Sequence, residues 1–253
     1  MGRIDINYEV AVLSQYLANP RKGHMLQALH VFKYLDIHKE SFLSFDPTFL
    51  DVEEPLDNEC NPTMKAVNMK DFYPDAEEVI PTNCPEPRGC PVQINCFVDA
   101  DHAGNVVTRR SQTGVLIYLN MAPIFWYSKK QTTIESCTFS SEFVALRIAT
   151  EKLISLKYKL RMFGIPLEGP ANVFCDNEAV CINSSIAAST LKKKHNSIAY
   201  HKVRESVAAG IIRIFKEAGE TNLADILTKS LGREKRIFMR SRIMHDEKVK
   251  SKK

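Results

Sequence analysis

Apolar positions change their spacing twice along this chain. Near the start, Tyr8, Val12, Leu13 and Tyr16, and then Met25, Leu26, Leu29, Val31, Phe32 and Leu35, recur at helical intervals on either side of Asn19-Pro20. Two helices are predicted, too few to close a core, so this piece is expected either to dock on other structure or to be the end of a domain whose beginning is missing. Residues 45–91 carry eight of the twelve prolines and hold no sustained period, which predicts a linker or an irregular excursion. From residue 93 onward the spacing shortens. Residues 93–98, 113–119 and 123–127 read as strands, joined at Gly104-Asn105 and Asn120-Met121 by turns that suit an antiparallel meander. A long helix over 139–163, closed by Gly164 and Pro166, comes next. A strand at 173–175, a helix after Asp176, a basic loop, a helix around 201–209, a strand at 211–215 and a helix over 222–229 complete the series. That order predicts a mixed α/β sheet of five strands flanked by helices.

Composition narrows the classes. With 253 residues, 44% hydrophobic and 25% charged, the chain can bury one full domain plus a smaller piece. The net charge of +4 is modest but unevenly spread: acids dominate between Asp46 and Glu86, bases after Leu231. A basic segment is the kind that meets phosphate backbones. Seven cysteines at irregular spacing, with no Cys-x-x-Cys pair and no signal-peptide plan at the start, make a reduced intracellular setting the expectation. Cys84, Cys90 and Cys96 recur evenly, yet no nearby histidine completes a zinc set. No run of about 18 apolar residues occurs, so no membrane partner is expected.

Four carboxylates fall at places that packing explains poorly. Glu142 lies on the same helical face as Leu146, Ala149, Leu153, Leu156 and Leu160, where a charge needs compensation unless it reaches water from the first turn. Asp99 ends an alternating strand and could belong to a turn. Asp176 could cap a helix, and Asp225 could answer a helix dipole. As a set, acids at strand ends and helix starts can converge at one sheet edge, and two divalent cations about 3.5–4 Å apart require such a cluster of hard oxygen ligands.

The segments FVDADHAG, RRSQTGVLIYL, PIFWYSKKQ, SSEFVAL, VFCDNEAV and NLADILTKSL, in this order between residues 93 and 231, resemble the ribonuclease H domain of copia-type LTR retrotransposon Pol polyproteins. The resemblance implies a ribonuclease H-like fold in which Asp99, Glu142, Asp176 and Asp225 are the catalytic, metal-binding acids, with Asp101 secondary. Residues 8–35 look like the end of the reverse transcriptase of the same polyproteins. Its Tyr-x-Asp-Asp core does not occur here, so polymerase activity is not expected. Two departures stand out: His102 where the family usually has Trp, and Asn196, Ser197 and Ala199 in the basic loop, the last expected to weaken substrate grip.

The division that follows is a helical remnant of reverse transcriptase (1–45), a Pro-rich acidic connector (46–92), the ribonuclease H-like domain (93–231) and a basic tail (232–253). The activity implied is hydrolysis of the RNA strand of an RNA–DNA hybrid with two Mg²⁺ ions, Mn²⁺ being the alternative ion. The competing class is an inactive relic or nucleic-acid-binding module. Expected nucleic-acid contacts are Lys129, Lys130, Ser140, Ser141, Asn177, Lys193, Lys194, His201 and Arg204, although Asn177 and the two serines could equally cap helices. His201 could equally be a solvated helix-surface residue. The rest of the reverse transcriptase is a further candidate partner, and a cytoplasmic particle or the nucleus the expected location.

Overall fold

The computed structural model describes residues 2–51, 68–187, 189, 191 and 197–246. The N-terminal piece holds α1 (Asn7–Ser14), α2 (Lys22–Ile37) and the short strand β1 (Ser41–Phe42). One further helical turn, α3 (Met69–Phe72), precedes the central sheet. That sheet and its helices are built from β2 (Ile94–Asp101), β3 (Gln112–Leu119), β4 (Ala122–Lys130), then α4 (Thr138–Met162), β5 (Ala171–Cys175), α5 (Glu178–Ser185), α6 (Ser197–Ala208) and β6 (Ile212–Lys216). A 3₁₀ helix (Leu223–Leu227), α7 (Arg233–Ile243) and β7 (His245–Asp246) close the described chain. The five strands lie in the order β4-β3-β2-β5-β6. β4, β3 and β2 run antiparallel as a meander, and β5 and β6 join parallel to β2. This is the mixed sheet of five strands flanked by helices expected from the element order.

Alternation along β2 divides the molecule into two cores. Cys96, Val98 and Ala100 face α4, α5 and α6, where Phe143, Leu146, Leu153, Val180 and Val203 pack against them. Phe97 faces the other way, toward Leu116, Phe174 and Phe215. That second face is covered by Ala224, Ile226 and Leu227 of the 3₁₀ helix, by Met239, Ile243 and Met244, and by Ile4 from the start of the chain. The expected basic tail is therefore corrected over its described part: residues 233–243 form a helix whose Met239 and Ile243, one turn apart, are buried. The lysines beyond residue 246 lie outside the described residues. The expected helix over 222–229 is shorter than read, five residues of 3₁₀ geometry.

The N-terminal piece does dock, through charge as well as Ile4. Arg236 meets Glu9 at 2.6 Å and the Asp5 carbonyl at 2.9 Å, and Arg240 meets Asp246 at 2.5 Å and Ser41 at 2.6 Å. β1 pairs with β7. Within 46–92, residues 52–67 lie outside the described part, but Glu78 makes a bidentate contact with Arg161 (3.1 and 2.8 Å) and an ion pair with the buried Lys157 at 3.2 Å. Among the described residues, no helix is long and apolar enough to cross a membrane.

Candidate metal centre

Four separate segments deliver the acids to one end of the sheet. Asp99 sits near the end of β2, opposite Gly114 of β3, and is 2% exposed. Gly114 is there because the 3₁₀ helix passes so close: a Cβ on it would stand 2.6 Å from Thr228 Cγ2 and 2.9 Å from the Ala224 carbonyl oxygen. This approach carries Asp225, fully buried, to Asp99. Asn222 fixes the helix start, donating to the Val98 carbonyl at 3.0 Å and accepting from the Ala224 N–H at 3.1 Å. Asp176 follows β5 directly, and the cap of α5 is its neighbour Asn177, whose side chain accepts from Val180 N at 3.2 Å. Glu142 comes from α4 and is 4% exposed, so the water-reaching reading of its position does not hold.

The ligand atoms converge. One carboxylate oxygen each from Asp99, Asp176 and Asp225 lie within 4.8 Å of one another, and so do one oxygen each from Glu142 and Asp176 together with Cys175 Sγ. Burial and mutual repulsion both raise the proton affinities of Asp99, Glu142 and Asp176. Burial, then Asp225, pushes the Asp99 carboxyl up to about 7 from an ordinary 3.8, with Lys229 and Thr228 opposing. Burial, then Asp99 and Asp176, raises Glu142 well above its usual range, and burial and Asp225 raise Asp176. Burial raises Asp101 as well.

Two ammonium groups answer part of this negative charge. Lys229 Nζ stands 2.8 Å from Asp225 and 3.6 Å from Asp99, and Lys235 Nζ stands 2.6 Å from Asp225. The Thr228 hydroxyl donates to Asp99. Glu142 Oε2, by contrast, is buried with no hydrogen-bond partner among the described residues. An orphaned carboxylate oxygen at the rim of three convergent aspartates is a donor set that fits divalent cations with a preference for hard oxygen ligands. Lys229, Lys235, Thr228, Asn222 and Gly114 do not stand out in the sequence as site residues. Lys229 alone leaves a local signal, standing four residues after Asp225 at helical ion-pair spacing.

The expected nucleic-acid contacts separate into groups. Lys129 and Lys130 end the edge strand β4, in register through Thr113 and Gln112 with Ala100 and Asp101, and so lie at the acidic end of the sheet. With Gln131, Arg147, Ile198 and Ala199 they line a groove of about 290 Å³. Ser140 and Ser141 are corrected: both are buried, and Ser141 Oγ donates to the Thr138 carbonyl at 2.8 Å. Arg204 is corrected too, being 2% exposed, with its guanidinium donating to the carbonyls of Asn183, Ile186 and Ala187 at 2.7–2.9 Å. His201 is exposed and bonds Tyr73 Oη at 2.7 Å. Lys193 and Lys194 lie outside the described residues. His102 has a buried Nδ1 without a partner among those residues.

No model of a known protein family matches the chain. It is 30% identical over 146 residues to a retrovirus-related Pol polyprotein from transposon RE2 of Arabidopsis thaliana, covering 58% of this chain and 10% of that protein. It is 26% identical over 233 residues to the Pol polyprotein from transposon TNT 1-94 of Nicotiana tabacum, covering 92% of this chain and 14% of that protein. The chain thus spans roughly a tenth of the length of the curated relatives it matches. Among solved structures it is similar to LC11-RNase H1 in complex with an RNA/DNA hybrid, with 18% identity, a TM-score of 0.44, and coverage of 54% of this chain and 94% of that one. The chain is thus similar in sequence to one part of retrovirus-related Pol polyproteins from plant transposons.

Proposed function

We propose that this chain is a ribonuclease H that hydrolyses the RNA strand of RNA–DNA hybrids, with Asp99, Glu142, Asp176 and Asp225 holding two Mg²⁺ ions, or Mn²⁺ in their place. The observation that carries the reading is the convergence of three aspartate oxygens within 4.8 Å beside the buried, unpartnered Glu142 Oε2. No packing or capping role accounts for that arrangement. When bound, the cations supply an acidified water as nucleophile and stabilise the departing 3′ oxygen.

The protein's own groups prepare the site. The Thr228 hydroxyl and Lys229 keep Asp99 turned toward Asp225, and Asn222 locks the 3₁₀ helix to the strand that bears Asp99. Lys229 and Lys235 hold Asp225 in place through charge. Lys129 and Lys130 offer phosphate contacts along the edge of the sheet, and Arg147 extends that strip along the groove. Preference for the hybrid requires recognition of the 2′-hydroxyl across the shallow minor groove. The remaining reverse transcriptase sequence of such polyproteins is proposed as a partner in holding the hybrid.

The test uses purified protein, a labelled RNA–DNA hybrid and Mg²⁺, with duplex DNA alongside. Cleavage of the RNA strand is expected, and it should vanish with chelator and in Asp99→Asn or Glu142→Gln. Equal cleavage by wild type and Asp99→Asn would overturn the reading. Hybrid binding without any cleavage would support a binding module instead.

A further inference from the structure

The acidic cluster has a sulfur neighbour. Cys175, the last residue of β5, is fully buried, and its Sγ lies within 4.8 Å of a Glu142 oxygen and an Asp176 oxygen. Those two carboxylates are ones the proposed nuclease site needs, so the sulfur shares donors with it. Glu142 Oε2 supplies the second, independent sign of a ligand: it is buried and lacks any partner among the described residues. Magnesium does not use sulfur, being held by oxygen in near-octahedral geometry. Thiolate with carboxylate is instead a donor set for zinc and other thiophilic cations.

We propose that Glu142, Cys175 and Asp176 form a mixed oxygen–sulfur site for a thiophilic divalent cation, Zn²⁺ or Cd²⁺, whose occupation withdraws Glu142 and Asp176 from the Mg²⁺ cluster and stops cleavage. The inhibitory half rests on the nuclease reading; the binding half does not. Neighbouring ligand atoms around zinc lie about 3.5 Å apart, so atoms within 4.8 Å of one another need to close by at most about 1.3 Å. On binding, the Cys175 S–H bond breaks, a sulfur–metal bond forms and the proton passes to buffer, with no electron transferred. A water completes the coordination. Cys181 is the nearby alternative thiol and hydrogen-bonds the Cys175 thiol, but it does not join the atoms that converge with Glu142 and Asp176, and its Sγ also faces the carbonyls of Cys175 and Phe215, at 3.4 and 3.8 Å.

The full chain, reduced and free of chelator, is titrated with Cd²⁺ while the ultraviolet sulfur-to-cadmium charge-transfer band is followed. Wild type should develop a saturable band that Cys175→Ser lacks and Cys181→Ser keeps. Glu142→Gln should weaken the apparent affinity by roughly tenfold or more, which keeps the idea testable if Cys175→Ser folds poorly. In the cleavage assay, Cd²⁺ should halve Mg²⁺-supported activity at a concentration roughly tenfold lower in wild type than in Cys175→Ser. A band that is the same in wild type and Cys175→Ser, or one lost in Cys181→Ser alone, overturns the site. Inertness on hybrids with a Cys175-dependent band supports the site and removes the nuclease; Mg²⁺-dependent cleavage with no such band does the reverse.

Discussion

At the scale of single residues, the site is governed by charges that repel and by one missing side chain. Between about pH 4 and about pH 7 the folded, cation-free protein retains the Asp99 proton that the unfolded chain has released. Folding therefore takes up a proton in that window, and stability falls as the pH rises through it. Raised Glu142 and Asp176 act in the same direction. Chemical denaturation from about pH 5 to about pH 7 should show this decline in wild type, a flatter profile in Asp99→Asn, and recovery on adding Mg²⁺. Gly114→Ala tests the close approach: the added methyl must displace the segment carrying Ala224 and Thr228, at a cost of about 1–3 kcal/mol. Cleavage should fall further than stability, since Asp225 moves with that segment. The four acids are legible in the sequence because their order matches a motif series, but a sequence does not show which polar side chains point inward. Ser140, Ser141 and Arg204 resemble substrate contacts for that reason, and burial assigns them to the helix start and to the backbone of 183–187.

At the scale of elements, the second face of the sheet depends on pieces that composition disguises. α7 is rich in arginine and lysine, and its two buried apolar residues, Met239 and Ile243, are too few to stand out from that background. Met239→Ala should cost about 2–5 kcal/mol in urea denaturation, a loss that a solvated tail could not produce. The strands and the long helix, in contrast, are legible to within a few residues because their spacing of two or of 3.6 is sustained. The connector is not, since it holds to the body through scattered contacts that follow no period: Tyr73 on His201, Cys84 on the Arg161 carbonyl, Arg88 on the Gly164 carbonyl, and Glu78. Glu78 neutralises Lys157 and Arg161, and Lys157 is 2% exposed. Glu78→Gln leaves that ammonium buried without its counter-charge. The expected loss is about 2 kcal/mol, below the roughly 3–5 kcal/mol of a fully enclosed pair because Glu78 and Arg161 are partly solvated. A protein begun at residue 93 should be destabilised at least as much.

Across the whole molecule, the acids and the lysine-lined groove share one end of the sheet, so on the proposed function a hybrid whose backbone meets those lysines lies near the cluster. Lys129→Ala with Lys130→Ala should weaken hybrid binding and lower the slope of log affinity against log salt by about 1 for each phosphate that is no longer neutralised. The unchanged quantity should be the stability of the protein, because both lysines end an edge strand. The pairing of β1 with β7, together with Arg236 on Glu9 and Arg240 on Ser41 and Asp246, has a consequence for nicking. A protease that cuts once between Asp51 and Asn68 would separate the covalent chain into two fragments without separating the folded particle. The fragments should co-migrate on a native gel, part under denaturant, and re-form an active complex when mixed.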